Sequence, residues 1–535
     1  MTPDLVHEVL VQCDRHPARV ALRAGRVELT YGELGRRVRA TAAALRAGGL
    51  RDADRVLFSV RPRTEGLVLA LGVVAAGGSL VLVDPGSTPE LFAARVAAAA
   101  PTWAATESLL YALSRPGLAG LARRRGILLP DYARLPVRHV HAGLRLPGVP
   151  RGSRRARALA RGTAAVEVAS RPDLEALVVF TSGTTAAPRA VVHTRGSLGA
   201  GTALLRQVCA VAPGDVVRTD QMLLGLPALV SGGTWSLPAR APADDVVGFA
   251  AGLGDAAVAF LVPADVTALL DAVVAGRVPA RGPRTGLVGG APVTAALLER
   301  AARVLPGTRW VGVYGMTEIL PVAVVDGAEK VADAAVTGAG DLVGRPLAGV
   351  TARLEPVGPD APDGVGELVL GGSSLMRGYL DGDGTEAVAE HRTGDLARWD
   401  DAGRLVLVGR TRDMLIRGTT NIYPGLYEPR LARLPGVGAA FLVGVPRASD
   451  GDEQVVLVVV PQGAPPSDGG PPALGPGDDA FVAEVRRRLP EVLDHGAMPD
   501  HVLVADRVPV SGRSRKPDRA ALAAAAAALL TAGAR

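Results

Sequence analysis

Phe180-Thr181-Ser182-Gly183-Thr184-Thr185, continuing as Ala186-Ala187-Pro188-Arg189-Ala190-Val191-Val192-His193, is the stretch on which the reading of this chain turns. It comes after the apolar, strand-like Leu177-Val178-Val179 and puts four hydroxyls and one glycine into five consecutive positions. Hydroxyls and backbone N–H groups in such a loop suit phosphate oxygens, and Gly183 lets a ligand approach the backbone closely. Arg189 adds a fixed cation. Polar surface turns use the same residues, so the meaning rests on the position directly after a strand and on the motifs further down the chain. Gly-x4-Gly-Lys-Ser/Thr occurs nowhere in the chain, which excludes the P-loop mode of nucleotide binding.

Those motifs occur in a fixed order. Leu71 to Gly86 reads as an apolar helix, a Gly-Gly break, a strand and Asp84-Pro85. Then come Gly289-Gly290-Ala291-Pro292, Tyr314-Gly315-Met316-Thr317-Glu318, Gly366-Glu367-Leu368 with Gly378-Tyr379, Arg392-Thr393-Gly394-Asp395-Leu396, Gly409-Arg410 and Lys516-Pro517-Asp518-Arg519. The loop and this series together resemble the adenylate-forming superfamily of acyl-CoA synthetases, nonribosomal adenylation domains and luciferases. The family's loop reads Thr-Ser-Gly-Thr-Thr-Gly-x-Pro-Lys-Gly. Ala186 and Ala190 stand where it has glycines, and Arg189 where it has lysine.

The resemblance implies attack of a carboxylate on the α-phosphate of ATP, giving acyl-AMP and pyrophosphate. Two anions must meet, so cations and Mg²⁺ are needed to offset their repulsion. Thr181, Ser182, Gly183, Thr184, Thr185 and Arg189 are then expected on the phosphates. Gly290, Ala291 and Pro292 are expected on the adenine side and Tyr314 in the nucleotide site, with Asp395 on the ribose hydroxyls and Arg410 near ribose and phosphates. Thr317 is expected on the α-phosphate and Glu318 as the Mg²⁺ ligand, a role that suits a hard carboxylate oxygen. Lys516 would bridge the substrate carboxylate and the α-phosphate. Among 59 basic residues only Lys330 and Lys516 are lysines. A chain that uses arginine almost everywhere else places a compact ammonium at the family's catalytic position.

At 535 residues more than one core is expected. Helix-like segments such as Tyr31–Gly48 alternate with strand-like ones such as Arg55–Val60, which argues α/β layering. We expect a large layered α/β adenylation domain at 1–408 and a smaller, mobile α+β lid at 409–535 carrying Lys516. In the latter, Ala439–Val445 and Gln454–Val460 read as strands, Asp479–Leu489 and the tail from Asp518 as helices, and 462–478 as a Pro/Gly-rich surface loop.

A net charge of +6 and a pI near 9.7 raise the question of nucleic acid. The arginines are scattered, without interleaved aromatics or zinc-ligand spacing, and only 122–161 forms a basic patch. It reads as a solvated insertion, and no nucleic-acid partner is expected. Cys13 and Cys209 form no disulfide framework and fit a reducing cytoplasm. The uncharged run 66–83 is interrupted by Gly77-Gly78 and reads as a core helix plus a strand, so no membrane association is expected.

Departures from the family bear on the second half of the reaction. Arg412 occupies the hinge position usually held by Asp or Lys. Thr419 stands where acyl-CoA synthetases have a glycine lining the pantetheine tunnel, and Leu426 where they tend to have glutamate. Transfer to CoA or to the thiol of an acyl carrier protein is the leading expectation. Thr317 to Ala323, Gly338 to Pro346 and His391 to Asp395 also resemble β-lactone synthetases, which close an adenylated β-hydroxy acid without CoA. A catalytically degenerate nucleotide-binding homologue is the third reading. The segment Met222 to Val230 lacks the aspartate that holds an α-amino group, and Leu224, Val262, Val288, Met316 and Ile319 are apolar pocket-wall candidates, each equally readable as ordinary core. The substrate expected is therefore an apolar acyl or aryl carboxylic acid rather than an amino acid.

Overall fold

The computed structural model describes residues 3–83, 89–115, 129–162, 166–180, 189–242, 244–336, 340–358, 362, 364–381, 384–417, 420–446, 453–465, 470–493, 497–511 and 515–533. Asp84, Pro85, Gly86, Thr181 to Thr185, Ala186, Gly338, Ala339 and Thr419 lie outside them, so the phosphate-loop and pantetheine-tunnel readings fall on segments not described.

A large mixed α/β domain is built on two sheets. The nine-stranded one runs Gly384–Thr385, Gly378–Asp381, Ala190–Thr194, Glu175–Phe180, Ser79–Leu82, Arg55–Ser59, Trp103–Glu107, Arg138–Ala142, Arg154–Arg155. The thirteen-stranded one has a parallel section, Val216–Arg218, Val258–Leu261, Thr285–Gly289 and Arg309–Met316. Beyond it an antiparallel section continues through Ile319–Asp326, Asp341–Pro346, Leu405–Arg410, Glu390–Trp399, Gly366–Gly372 and Val350–Pro356. The parallel strands are apolar runs because both faces are covered.

The helix Thr64–Ala75 shows why 66–83 belongs to a core. Its residues Gly66 to Ala75 are all buried, as expected of a helix apolar on every side. The chain leaves it through a Schellman closure: Gly77 N–H donates to the Val74 carbonyl and Gly78 N–H to the Val73 carbonyl, both at 3.0 Å. Gly77 has φ +95°, and a Cβ there would lie 2.1 Å from Asp52 Oδ1. The strand Ser79–Leu82 then enters the nine-stranded sheet. Among the described residues no helix is long and apolar enough to cross a membrane.

The helix Tyr31–Ala47 starts on a capping box between Thr30 and Glu33 and buries Tyr31, Leu34, Val38, Thr41, Ala42 and Leu45 at helical spacing. The basic patch is corrected in its described part. Arg138–Ala142 and Arg154–Arg155 extend the nine-stranded sheet rather than forming a solvated insertion. Arg138 stacks on Trp103 at 5.4 Å and Arg154 donates to the Ala44 carbonyl at 2.8 Å. Their charges cover sheet edges and helix ends.

One buried ion pair closes the large domain. Arg195 donates through Nε and Nη2 to Asp4 Oδ1 at 3.0 and 2.8 Å, across 191 residues of sequence, and Asp4 Oδ2 accepts from Arg171 N–H at 2.7 Å. Both side chains are essentially inaccessible. Asp4→Ala strands a buried guanidinium and should cost about 3–5 kcal/mol. A lowered urea midpoint of the large domain, partly restored by adding Arg195→Met, is the expected result.

A smaller α+β domain lies toward the C-terminal end of the chain. Its four-stranded sheet runs Val437–Pro446, Glu453–Pro461, His501–Ala505, Leu474–Gly475. Along Glu453–Pro461 the side chains alternate between two cores. Val455, Leu457 and Val459 meet residues of Pro424–Leu431 and Asp479–Val492, while Val456, Val458 and Val460 meet Leu522 and Ala526 of Arg519–Gly533. Both strands and both helices read from the sequence are present. The loop expected at 462–478 also contributes the short strand Leu474–Gly475.

Candidate active site

The site assembles where the parallel section of the large sheet meets its antiparallel section. Arg309–Met316 and Ile319–Asp326 form a hairpin with Met316 opposite Ile319, so Thr317 and Glu318 occupy the turn itself. The parallel neighbour Thr285–Gly289 ends with Gly289 opposite Val313, which places the turn Gly290-Ala291-Pro292 alongside Tyr314. This is the carboxyl end of parallel strands, where α/β sheets hold their ligands.

Asp395 is central. It lies mid-strand in Glu390–Trp399, opposite Arg410 of Leu405–Arg410, and is 2% exposed. Arg410 Nε pairs with Oδ1 at 2.7 Å, and the Tyr314 hydroxyl donates to Oδ2 at 2.6 Å. Burial, and then the Asp395 charge, push the Tyr314 phenol well above its ordinary range, so it remains a donor. Thr393 and Glu367 hold the approach: Asp395 N–H donates to Thr393 Oγ1 at 3.0 Å and Gly394 N–H to Glu367 Oε1 at 3.2 Å.

Glu318 has its own partner. The Tyr379 hydroxyl donates to Glu318 Oε1 at 2.9 Å. Tyr379 is placed by pairing of Gly378–Asp381 with Ala190–Thr194, Tyr379 opposite Val191. A Cβ at Gly378 would come within 2.0 Å of the Glu386 carbonyl oxygen, so only glycine permits this register. Arg189, diagonal to Tyr379 across the strand pair, lays its guanidinium over the ring at 5.2 Å. His391 meets the same ring edge-on at 6.1 Å. Burial lowers the His391 pKa, opposed by Glu318 and reinforced by Arg189.

His193 ties the strand Ala190–Thr194 to the Thr317–Glu318 turn. Its Nε2–H donates to the Thr317 carbonyl at 2.7 Å, and Nδ1 lies 3.0 Å from Ser197 Oγ. Burial holds its pKa below the usual histidine range, so the ring is neutral with the proton on Nε2. The Glu318 carbonyl accepts from Met376 N–H at 2.7 Å.

The structure thus brings together Arg189, the 290–292 turn, Tyr314, Thr317, Glu318, Asp395 and Arg410. Lys516 stands on the smaller domain, exposed, in the hairpin of Val510–Ser511 with Lys516–Pro517. Arg519 anchors this segment: Nη1 donates to Glu428 Oε1 at 2.8 Å, and Nε lies 3.6 Å from Asp413 Oδ2 in the turn Thr411–Asp413, which holds Arg412. Lys330, the other lysine, is buried and pairs with Asp341 at 2.6 Å. The partners Tyr379, His193, His391 and Glu367 received no role from the sequence, although each lies in or beside a motif. The available signal was a polar aromatic, Tyr379, in a chain only 3% aromatic. Of the apolar candidates, Val288 and Ile319 take the core alternative, fully buried in separate apolar cores, while Leu224 and Met316 are only partly buried.

Among the described residues no cluster of three or more His, Cys, Asp or Glu could hold a metal ion. At the Thr317–Glu318 turn the carboxylate on offer is that of Glu318. That fits Mg²⁺ carried mainly by phosphates and water, not a protein cage.

Known proteins resemble this chain over most of its length. The family model described as "AMP-binding enzyme" matches residues 9–380. A feruloyl-CoA synthase of Amycolatopsis sp. is 32% identical over 528 residues, covering 93% of this chain and 94% of that protein. The olefin beta-lactone synthetase of Xanthomonas campestris pv. campestris is 29% identical over 492 residues, covering 84% of each. The solved structure of the amide bond synthetase McbA from Marinactinospora thermotolerans superposes with a TM-score of 0.76 at 23% identity, covering 97% of this chain and 99% of that one, a likeness of fold. By its fold, its ordered motifs and this match over most of its length, the chain belongs to the AMP-binding, adenylate-forming enzyme family.

Proposed function

We propose that the protein activates an apolar acyl or aryl acid with ATP and passes the acyl group to a thiol, CoA or a carrier protein. The supporting observation is the convergence of Tyr314, Asp395 and Arg410 with Glu318, Tyr379 and Arg189 from strands far apart in sequence. In this reading the chain divides near residue 409 into an ATP-holding part and a lid.

The adenine lies against the 290–292 turn and Tyr314. The ribose hydroxyls donate to Asp395, whose oxygens each keep a second lone-pair direction beside Arg410 and Tyr314. Thr317 donates to the α-phosphate. Residues 181–185 and Arg189 would hold the outer phosphates, and Glu318 would hold the magnesium ion. The ion would offset phosphate charge as pyrophosphate leaves. A carboxylate oxygen attacks the α-phosphorus, the bond to the β-phosphate oxygen breaks, and Lys516 stabilises the charge that develops between them once the lid closes. A thiolate then attacks the acyl carbon and releases AMP.

Similarity to feruloyl-CoA synthase over nearly the whole chain favours an aryl acid and CoA. A pyrophosphate-release assay over hydroxycinnamic, benzoic and fatty acids, with and without CoA, tests this. CoA-dependent thioester formation is expected. Similarity to the olefin beta-lactone synthetase favours a second reading. CoA-independent turnover confined to β-hydroxy acids, with a cyclic product, would replace the first reading by it.

A further inference from the structure

We propose that Tyr379 is a positioning residue that presents the Glu318 carboxylate to the magnesium ion and links it to Arg189. This rests on Glu318 being the metal ligand.

Glu318 sits in a two-residue turn, and a single carboxylate there must be aimed by something outside it. The Tyr379 hydroxyl occupies Oε1 at 2.9 Å, leaving Oε2 and the second lone pair of Oε1 for the cation. The ring is itself fixed by its strand pairing with Ala190–Thr194, by the Arg189 guanidinium 5.2 Å above it, and by His391 at its edge. The clamp therefore connects the strand leaving the phosphate-loop segment directly to the carboxylate. Arg189 suits this place because its planar guanidinium stacks on a ring while its charge stays beside the phosphates. Partners of this kind, one shell out from the ligand, hold a metal ligand's orientation, and removing one weakens metal affinity by roughly 10- to 100-fold.

The test is Tyr379→Phe, which deletes one hydroxyl and keeps the ring between Arg189 and His391. ATP is titrated into the protein by calorimetry at a series of Mg²⁺ concentrations, with Glu318→Gln in parallel. The Mg²⁺ concentration giving half the full ATP affinity should rise about 10-fold in Tyr379→Phe, with affinity at saturating Mg²⁺ close to wild type. An unchanged midpoint while Glu318→Gln shifts it would overturn the positioning role. If neither variant shifted it, the metal role of Glu318 would fail and the inference with it. Equal weakening of ATP binding with and without Mg²⁺ would instead mark Tyr379 as a general binding residue and overturn the proposal.

Discussion

Lys516→Ala should slow acyl-adenylate formation by roughly 100- to 1,000-fold, the usual effect of removing one donor from a developing anion, or about 3–4 kcal/mol. ATP affinity should change little, because in the proposed mechanism the ammonium acts on charge that exists only in the transition state. The structure sharpens this expectation through the contrast between the two lysines. Lys330 is buried against Asp341 and the Leu342 carbonyl, a packing requirement. Lys516 is exposed, so nothing about burial demands a lysine there in a chain that otherwise uses arginine. Lys516→Arg should therefore rescue poorly, since a planar fork cannot replace a compact charge between two anions. Single-turnover pyrophosphate release measures both variants. Release at the wild-type rate from Lys516→Ala would remove the residue from the mechanism.

Asp395→Ala should raise the dissociation constant for ATP by roughly 10- to 100-fold, the equivalent of losing one hydrogen bond to a charged group at about 1.5–3 kcal/mol. It should also lower stability. Arg410 and Tyr314 both direct donors at this carboxylate, and the half-buried Tyr314 hydroxyl would lose its acceptor at a cost of about 1 kcal/mol. Asp395→Asn keeps the volume and one acceptor oxygen, so most of the stability should return while ATP binding stays weak. Calorimetry and thermal unfolding on the two variants separate these effects. If Asp395→Asn bound ATP like wild type, the ribose assignment would be wrong.

Much was legible in the residues alone. Apolar runs punctuated by Gly77-Gly78 or by Pro and Gly announced α/β layering, because burial and backbone conformation are local requirements that the chain must meet wherever it folds. The motif residues announced the family, since phosphate, ribose and a hard cation each demand particular donors. The residues that hold those donors in place were not legible. Tyr379 reaches Glu318 across 61 residues and Tyr314 reaches Asp395 across 81, through strand pairings that no local pattern encodes. Val288 and Ile319 looked like pocket wall because an apolar side chain next to a motif suits either a cavity or a core. Which of the two it meets depends on the sheet face it occupies. Composition and spacing specified which chemical groups are present. Only the register between distant strands decided which of them touch, because a hydrogen bond is made or lost over less than an ångström of placement.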